Sequence, residues 1–189
     1  MKIIYTKIPI PYITQDKAIL VLYQLNLLSN YQNKALFSIK YLAQQIGYKD
    51  NDQIRSELKQ ILLNLQADNL ITLLTPISHA NELIVADIEP IKQLTQFVIL
   101  QETEYNAIMT ITNKRTQINL LKLLLFLKYK SYKRPNHKPV TLGHANCYIG
   151  TYDIVSNGTN IPKRSLRDSI EGLCKLKLLT CLSMDSTTN

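Results

Sequence analysis

The sequence predicts a mainly α chain with small β-hairpins (α+β), built as two tandem units, residues 1–90 and 91–189. Three observations lead there. Apolar residues recur at helical spacing through most of the chain. One stretch, LITLLTPIS followed by NELIVADI, switches to β-branched strand patterning on either side of a turn. The helical pattern of the first half then returns in the second with matching caps and turns.

The elements follow in order. DKAILVLYQLNLLSN (16–30) places Ala18, Ile19, Leu22, Leu25 and Leu28 on one helical stripe, with Asp16 as its expected cap. FSIKYLAQQIG predicts a short helix capped by Ser38 and stopped by Gly47. DNDQIRSELKQILLNLQAD predicts a longer one, with Asp50, Asn51 and Asp52 competing to cap it and Ile54, Leu58, Ile61, Leu62 and Leu65 as its apolar stripe. The hairpin comes next, turning at His79-Ala80-Asn81. A linker is expected around Glu89–Gln101, with FVIL as a short strand and TEYNAIMTI as a small helix after it. QINLLKLLLFLKYK (117–130) reads as a strongly apolar helix, YKSYKRPNHKP as a basic loop, and HANCYIG as a strand. TYDIVSNG and TNIPKRSLRDSIEGLCKLKLLT supply the last two helices.

Composition excludes several classes. With 46% apolar residues, 5 Gly and 7 Pro among 189, neither a disordered nor a collagen-like chain is expected. No window approaches 18 uninterrupted apolar residues, so no bilayer span and no membrane partner are expected. The opening MKIIYTKIPIPYITQDK lacks the clean apolar core of a signal peptide, so a cytoplasmic location is expected. The odd count of cysteines (Cys147, Cys174, Cys181) fits a reducing compartment. His137, His144 and Cys147 lie close in sequence, but without a C-x-x-C or H-x-x-x-H pair they predict no metal site and no cofactor.

The net charge of +8 is one-sided. Residues 1–90 hold 8 Lys+Arg and 8 Asp+Glu, whereas residues 91–189 hold 14 and 6, the whole surplus. Such a field points to a polyanionic partner, against the alternative of a solvated surface enriched in Lys, Asn, Ile and Tyr by an AT-rich genome.

The internal repeat is the most specific signal. At an offset of 113, Ser38, Leu42, Ala43 and Gly47 fall on Thr151, Val155, Ser156 and Asn160. At 108, Leu58, Leu62, Leu65, Leu70 and Ile71 fall on Leu166, Ile170, Leu173, Leu178 and Leu179. The change of offset predicts five extra residues in the first unit, absorbed as about one added turn at the front of its third helix.

TYDIVSNGTNIPKRSLRDSIEGLCKLKLL resembles the helix-turn-helix core of winged-helix DNA-binding proteins: a short helix, a tight turn, then a basic helix ending in a strand entry. Its tandem arrangement is similar to bacterial plasmid and phage replication initiators, and to the amino-terminal region of DnaD-type primosomal proteins. Asn160 stands at the usual turn glycine, and the residues after Leu179 leave no room for a full second wing, so either that wing is vestigial or the natural chain is longer. The resemblance implies two tandem winged helix-turn-helix units and binding of double-stranded DNA in replication initiation. A transcriptional regulator would use the same residues, and a protein-interaction module with a degenerate helix-turn-helix is a different class. The apolar strands of the hairpin from Leu70 to Ile88 suit pairing across a homodimer, and the first unit is the expected contact for a replication-machinery protein.

In the basic helix Leu166, Ile170, Leu173 and Leu176 are expected to face the core, leaving Lys163, Arg164, Arg167, Asp168 and Glu171 outside. Pro162 suits the first turn. Cations at a helix N-terminus do not serve helix stability, so their placement favours an external anion. Arg164 and Arg167 are the expected base-edge contacts, because arginine pairs bidentately with guanine. Lys163 and Ser165 are expected on phosphates, and Asp168 is expected to orient Arg164 at i, i+4. Thr151 and Tyr152 lie where this motif touches the DNA backbone, and Lys130, Lys133, Arg134 and Lys138 would add phosphate contacts. About six neutralised phosphates give a salt slope of roughly −5. The first unit's third helix carries mixed charge, which suits protein contact, dimerisation or auxiliary DNA contact. No Gly-rich phosphate loop, H-E-x-x-H or catalytic triad context is present, so no enzyme is expected.

Overall fold

The computed structural model describes residues 5–132, 148 and 150–180. It is an α+β chain that divides into two compact units, residues 1–101 and 102–189. The division falls at Gln101 rather than at residue 90, because the stretch expected as a linker is structured. Glu89–Lys92 forms a short helix, α4, opened by Pro90. Phe97–Gln101 forms a five-residue strand, β5, antiparallel to Tyr5–Pro9, β1.

In the first unit, β1 leads through a 3-10 turn at Ile10–Thr14 into α1, Asp16–Leu27. Asp16 is the first residue of that helix and not its cap: Gln15 occupies the cap with no side-chain bond. Asp16 instead places negative charge where the helix dipole favours it. From Ala18 to Leu25 every residue of α1 is buried, as expected for a helix packed on all sides. Strand β2 (Lys34–Phe37) follows a turn in which Asn33 takes the left-handed conformation.

Helix α2 (Ile39–Gln45) is capped as expected, with the Ser38 hydroxyl accepting from Tyr41 N at 3.2 Å. Gly47 turns the chain at φ 75°. Helix α3 (Asp52–Ala67) is capped by Asn51, whose Oδ1 accepts from Ile54 N at 2.9 Å. The hairpin forms between β3 (Thr72–Leu73) and β4 (Ile84–Asp87), shorter than the sequence patterning. Strand β2 adds to it, giving the order β2-β4-β3. Phe37, Ala35, Ile84 and Ala86 point into the core, while Leu36, Val85 and Leu74 make a row on the outer face. Leu36 and Leu74 are nearly half exposed.

The second unit opens with α5 (Glu102–Met109), followed by α6 (Lys114–Tyr132), α7 (Tyr152–Thr159) and α8 (Lys163–Lys175). Helix α6 is the centre: α5, α7 and α8 all pack on it, over Leu120, Leu121, Leu123, Leu124, Leu125 and Phe126. Two glycines permit close approach. A Cβ on Gly158 of α7 would fall 2.1 Å from Phe126 Cε2, and one on Gly172 of α8 would fall 2.9 Å from Leu120 Cδ2. The strand expected at HANCYIG lies almost wholly outside the described residues.

The two units share local geometry at the repeated positions. Thr151 caps α7 by accepting from Ile154 N, as Ser38 caps α2, and Asn160 at φ 55° matches Gly47. Beyond α3, Asn69 is left-handed at φ 55°, with Leu70 N donating to Leu65 O at 2.9 Å. Beyond α8, Lys177 is left-handed at φ 59°, with Leu178 N donating to Leu173 O at 3.0 Å. This helix-ending motif recurs at the same offset of 108. The caps Asn51 and Pro162 differ by 111, so two of the five extra residues lie in the turn and three in α3.

Candidate nucleic-acid interface

Helix α8 begins one residue later than the proline pattern suggested. Pro162 is its cap, extended at ψ 136°, and its carbonyl accepts from Ser165 N at 2.8 Å. A residue before proline is itself driven out of the helical region, so Ile161-Pro162 serves as an entry strut. Leu166, Ser169 and Leu173 are buried, while Ile170 and Leu176 are only half-buried. Leu166 and Leu173 thus face the core as expected, and Ser169 takes the buried place expected of Ile170. Ser169 fits there because its hydroxyl donates to Ser165 O at 2.7 Å, and its small size beside Gly172 lets α8 lie close to α6.

Lys163, Arg164, Arg167, Asp168 and Glu171 are exposed, the outer face the sequence predicts. Their pairings differ from expectation. No Arg164–Asp168 pair forms among the described residues: a short Asp side chain does not span the turn back to a cation four residues earlier, and this polarity is the weaker one on a helix. The longer Glu171 does reach Arg167, with Nε donating to Oε1 at 3.1 Å. Lys163 is tied across helices, its Nζ paired with Asp153 Oδ1 on α7. Arg164 is the cation of the first turn of α8 that carries no acidic partner among the described residues.

The Lys163–Asp153 pair brings the first turns of α7 and α8 side by side. Thr151 and Tyr152 thereby lie close to the basic turn, Thr151 exposed and Tyr152 52% exposed. Ile154 beside them is also about half exposed. The free N–H groups of a helix's first turn point the same way as its dipole, toward an anion. Asp153 is the residue that sequence reasoning missed. Helical spacing finds partners on one helix, and this pair depends on how two helices cross.

Of the loop cations, Lys130 ends α6 half-buried, with Nζ 5.8 Å from the ring centroid of Phe126 and 5.4 Å from that of Tyr129. Lys133, Arg134 and Lys138 lie outside the described residues, as do His137, His144 and Cys147. Lys128, which the sequence did not single out, is spent on Glu104, with both carboxylate oxygens at 2.8 Å.

In the first unit the matching face is differently arranged. The Arg55 guanidinium donates to both oxygens of Asp50 at 2.7 Å and to Asp52 at 3.1 Å. The hydrogen bonds from Arg55 hold the Asp50 carboxyl below the usual carboxylate range, and raise the guanidinium above its own. Glu57, paired with Lys17 at 2.5 Å, is likewise lowered. Helix α3 therefore presents neutralised pairs, with Lys59 as an exposed cation farther along.

Among the described residues, no group of three His, Cys, Asp or Glu is placed to hold a metal, and no helix is long and apolar enough to cross a membrane. No protein-family model matches the chain, and neither a curated protein nor a solved structure matches it.

Proposed function

We propose that the chain is a double-stranded DNA-binding protein of two tandem winged helix-turn-helix units, with α8 as the helix that enters the major groove. The observation that carries this is the first turn of α8: exposed cations, Arg164 without an acidic partner among the described residues, lie beside the Thr151-capped start of α7 across a left-handed turn at Asn160. This arrangement supports a helix-turn-helix reading, in which the amino-terminal turns of the second helix would meet base edges. The first unit supports the same plan. Its order α1-β2-α2-α3-β3-β4, with sheet order β2-β4-β3, is the order of a winged helix.

In this reading Arg164 and Arg167 contact base edges, and Lys163, Ser165, Thr151 and Tyr152 contact the DNA backbone. The first unit serves dimerisation or a replication-machinery partner, favoured by its neutralised α3 face and by the exposed row Leu36–Val85–Leu74. Plasmid or phage replication initiation is the process we assign, without catalysis by this chain. A transcriptional regulator would use the same surface.

Selection of duplexes from a random pool at near-physiological salt tests the function, and one enriched motif is the expected result. R164A should weaken binding to that motif by about 1–3 kcal/mol, roughly 5- to 150-fold. A flat pool, or an R164E/R167E protein that binds duplex as tightly as the parent, would refute the reading.

A further inference from the structure

The geometry points to Asp153 as a specificity-determining residue: it holds Lys163 away from the phosphate backbone, so that this cation is released only when α8 is seated in a groove. This rests on the duplex-binding reading above. The two partners are 64% and 62% exposed, so the pair adds little to the stability of the fold. Its effect is on charge. Asp153 lies in the first turn of α7, where a carboxylate is favoured, and Lys163 lies in the first turn of α8, where a cation is not. Pairing relieves the second at no cost to the first, which makes it the resting arrangement of the free protein.

The repeat gives an independent view of the same position. By the offset of 108 that aligns the two helix ends, Lys163 corresponds to Arg55. Arg55 is held by two carboxylates, Asp50 bidentately and Asp52 by one bond. The first-turn cation is thus restrained in both units, by two acids in the first and by one in the second. One exposed carboxylate is a weak restraint, and a phosphate fixed at charge-assisted hydrogen-bonding distance can replace it. A random duplex, against which α8 does not seat, meets Lys163 and Asp153 as a neutral pair. A matched duplex, which brings phosphates to fixed positions beside the first turn, draws Lys163 across. Arg164 is available in both situations, and Arg167 is restrained by Glu171 on its own helix.

The test uses the full chain and compares a random duplex with the selected one across a salt series. In D153N one more phosphate contact becomes available to random DNA. Its salt slope should steepen by about 0.9, which at about 0.1 M salt makes random binding roughly eight-fold tighter. The ratio of selected to random affinity should fall correspondingly. In a K163Q background the D153N change should vanish. D168N removes an exposed carboxylate that holds no cation, and it should steepen the slope less.

Any of these outcomes overturns the proposal: D153N weakens both duplexes with an unchanged slope, as loss of a purely structural tie would; D168N matches D153N, so that charge alone is responsible; or the D153N effect persists without Lys163. If the parent protein binds no duplex, the functional reading falls and this with it. If the parent binds and R164A weakens it while D153N changes nothing, only the present proposal falls.

Discussion

Gly158 is a position where the second unit tolerates little change. A Cβ there would sit 2.1 Å from Phe126 Cε2, so α7 and the ring must part by more than an ångström to restore ordinary contact. The ring is 4% exposed and stands edge-on to Tyr148, with centroids 5.9 Å apart, which limits its retreat. Overpacking of this kind costs about 1–3 kcal/mol. Alanine returns up to ~1 kcal/mol of helix propensity, less near a helix end such as this. G158A should therefore destabilise the α6–α7 packing by about 1–2 kcal/mol, seen as roughly 5- to 30-fold faster hydrogen exchange of the α6 amides. In F126L, which removes the clashing atom, the alanine should cost much less, a coupling that a double-mutant cycle measures. Slower exchange in G158A would refute the reasoning, because propensity would then outweigh a clash that the packing does not enforce.

Two further outcomes follow from local geometry and charge. N160V should destabilise the α7–α8 turn by about 1–2 kcal/mol, since a β-branched residue is strained at φ 55°, while N160G should stay within a few tenths; equal melting of the two variants would count against a left-handed turn. Asp50 and Glu57 titrate below their ordinary range in the fold, so their contribution is complete above the unfolded values of about 4 and is lost as pH falls through the lowered ones. The urea midpoint should accordingly drop between mildly acidic pH and pH about 3, and drop less in D50N/E57Q; an identical decline in that variant would refute the assignment.

The parts of the fold written in adjacent residues were legible. Ser38 and Thr151 cap helices because a short polar oxygen precedes a free N–H three residues on, and Gly47 and Asn160 mark turns because few residues accept positive φ; at α3, where Asp50, Asn51 and Asp52 competed, Asn51 is the cap. Strands β1 and β2 were not legible. YTKIP and KALF are too short to show alternation, and each becomes a strand only through a partner far along the chain, β5 and β4 respectively. The same limit applies to the candidate interface. Which side chains face outward on α8 follows from helical period, apart from the small Ser169, which is buried beside Gly172 where Ile170 was expected. Which of those cations is free does not follow, because the Lys163–Asp153 pair belongs to the crossing of two helices.

The β1–β5 pairing also has a mechanical meaning. Tyr5 lies opposite Gln101 and Pro9 opposite Phe97, so residues 5 and 101 leave the ribbon at the same end. Tension between them loads the pair as a zipper, with hydrogen bonds parting one rung at a time rather than sharing the load in shear. The first unit thus closes on itself with a clasp that a directed pull on residues 5 and 101 would peel from one end.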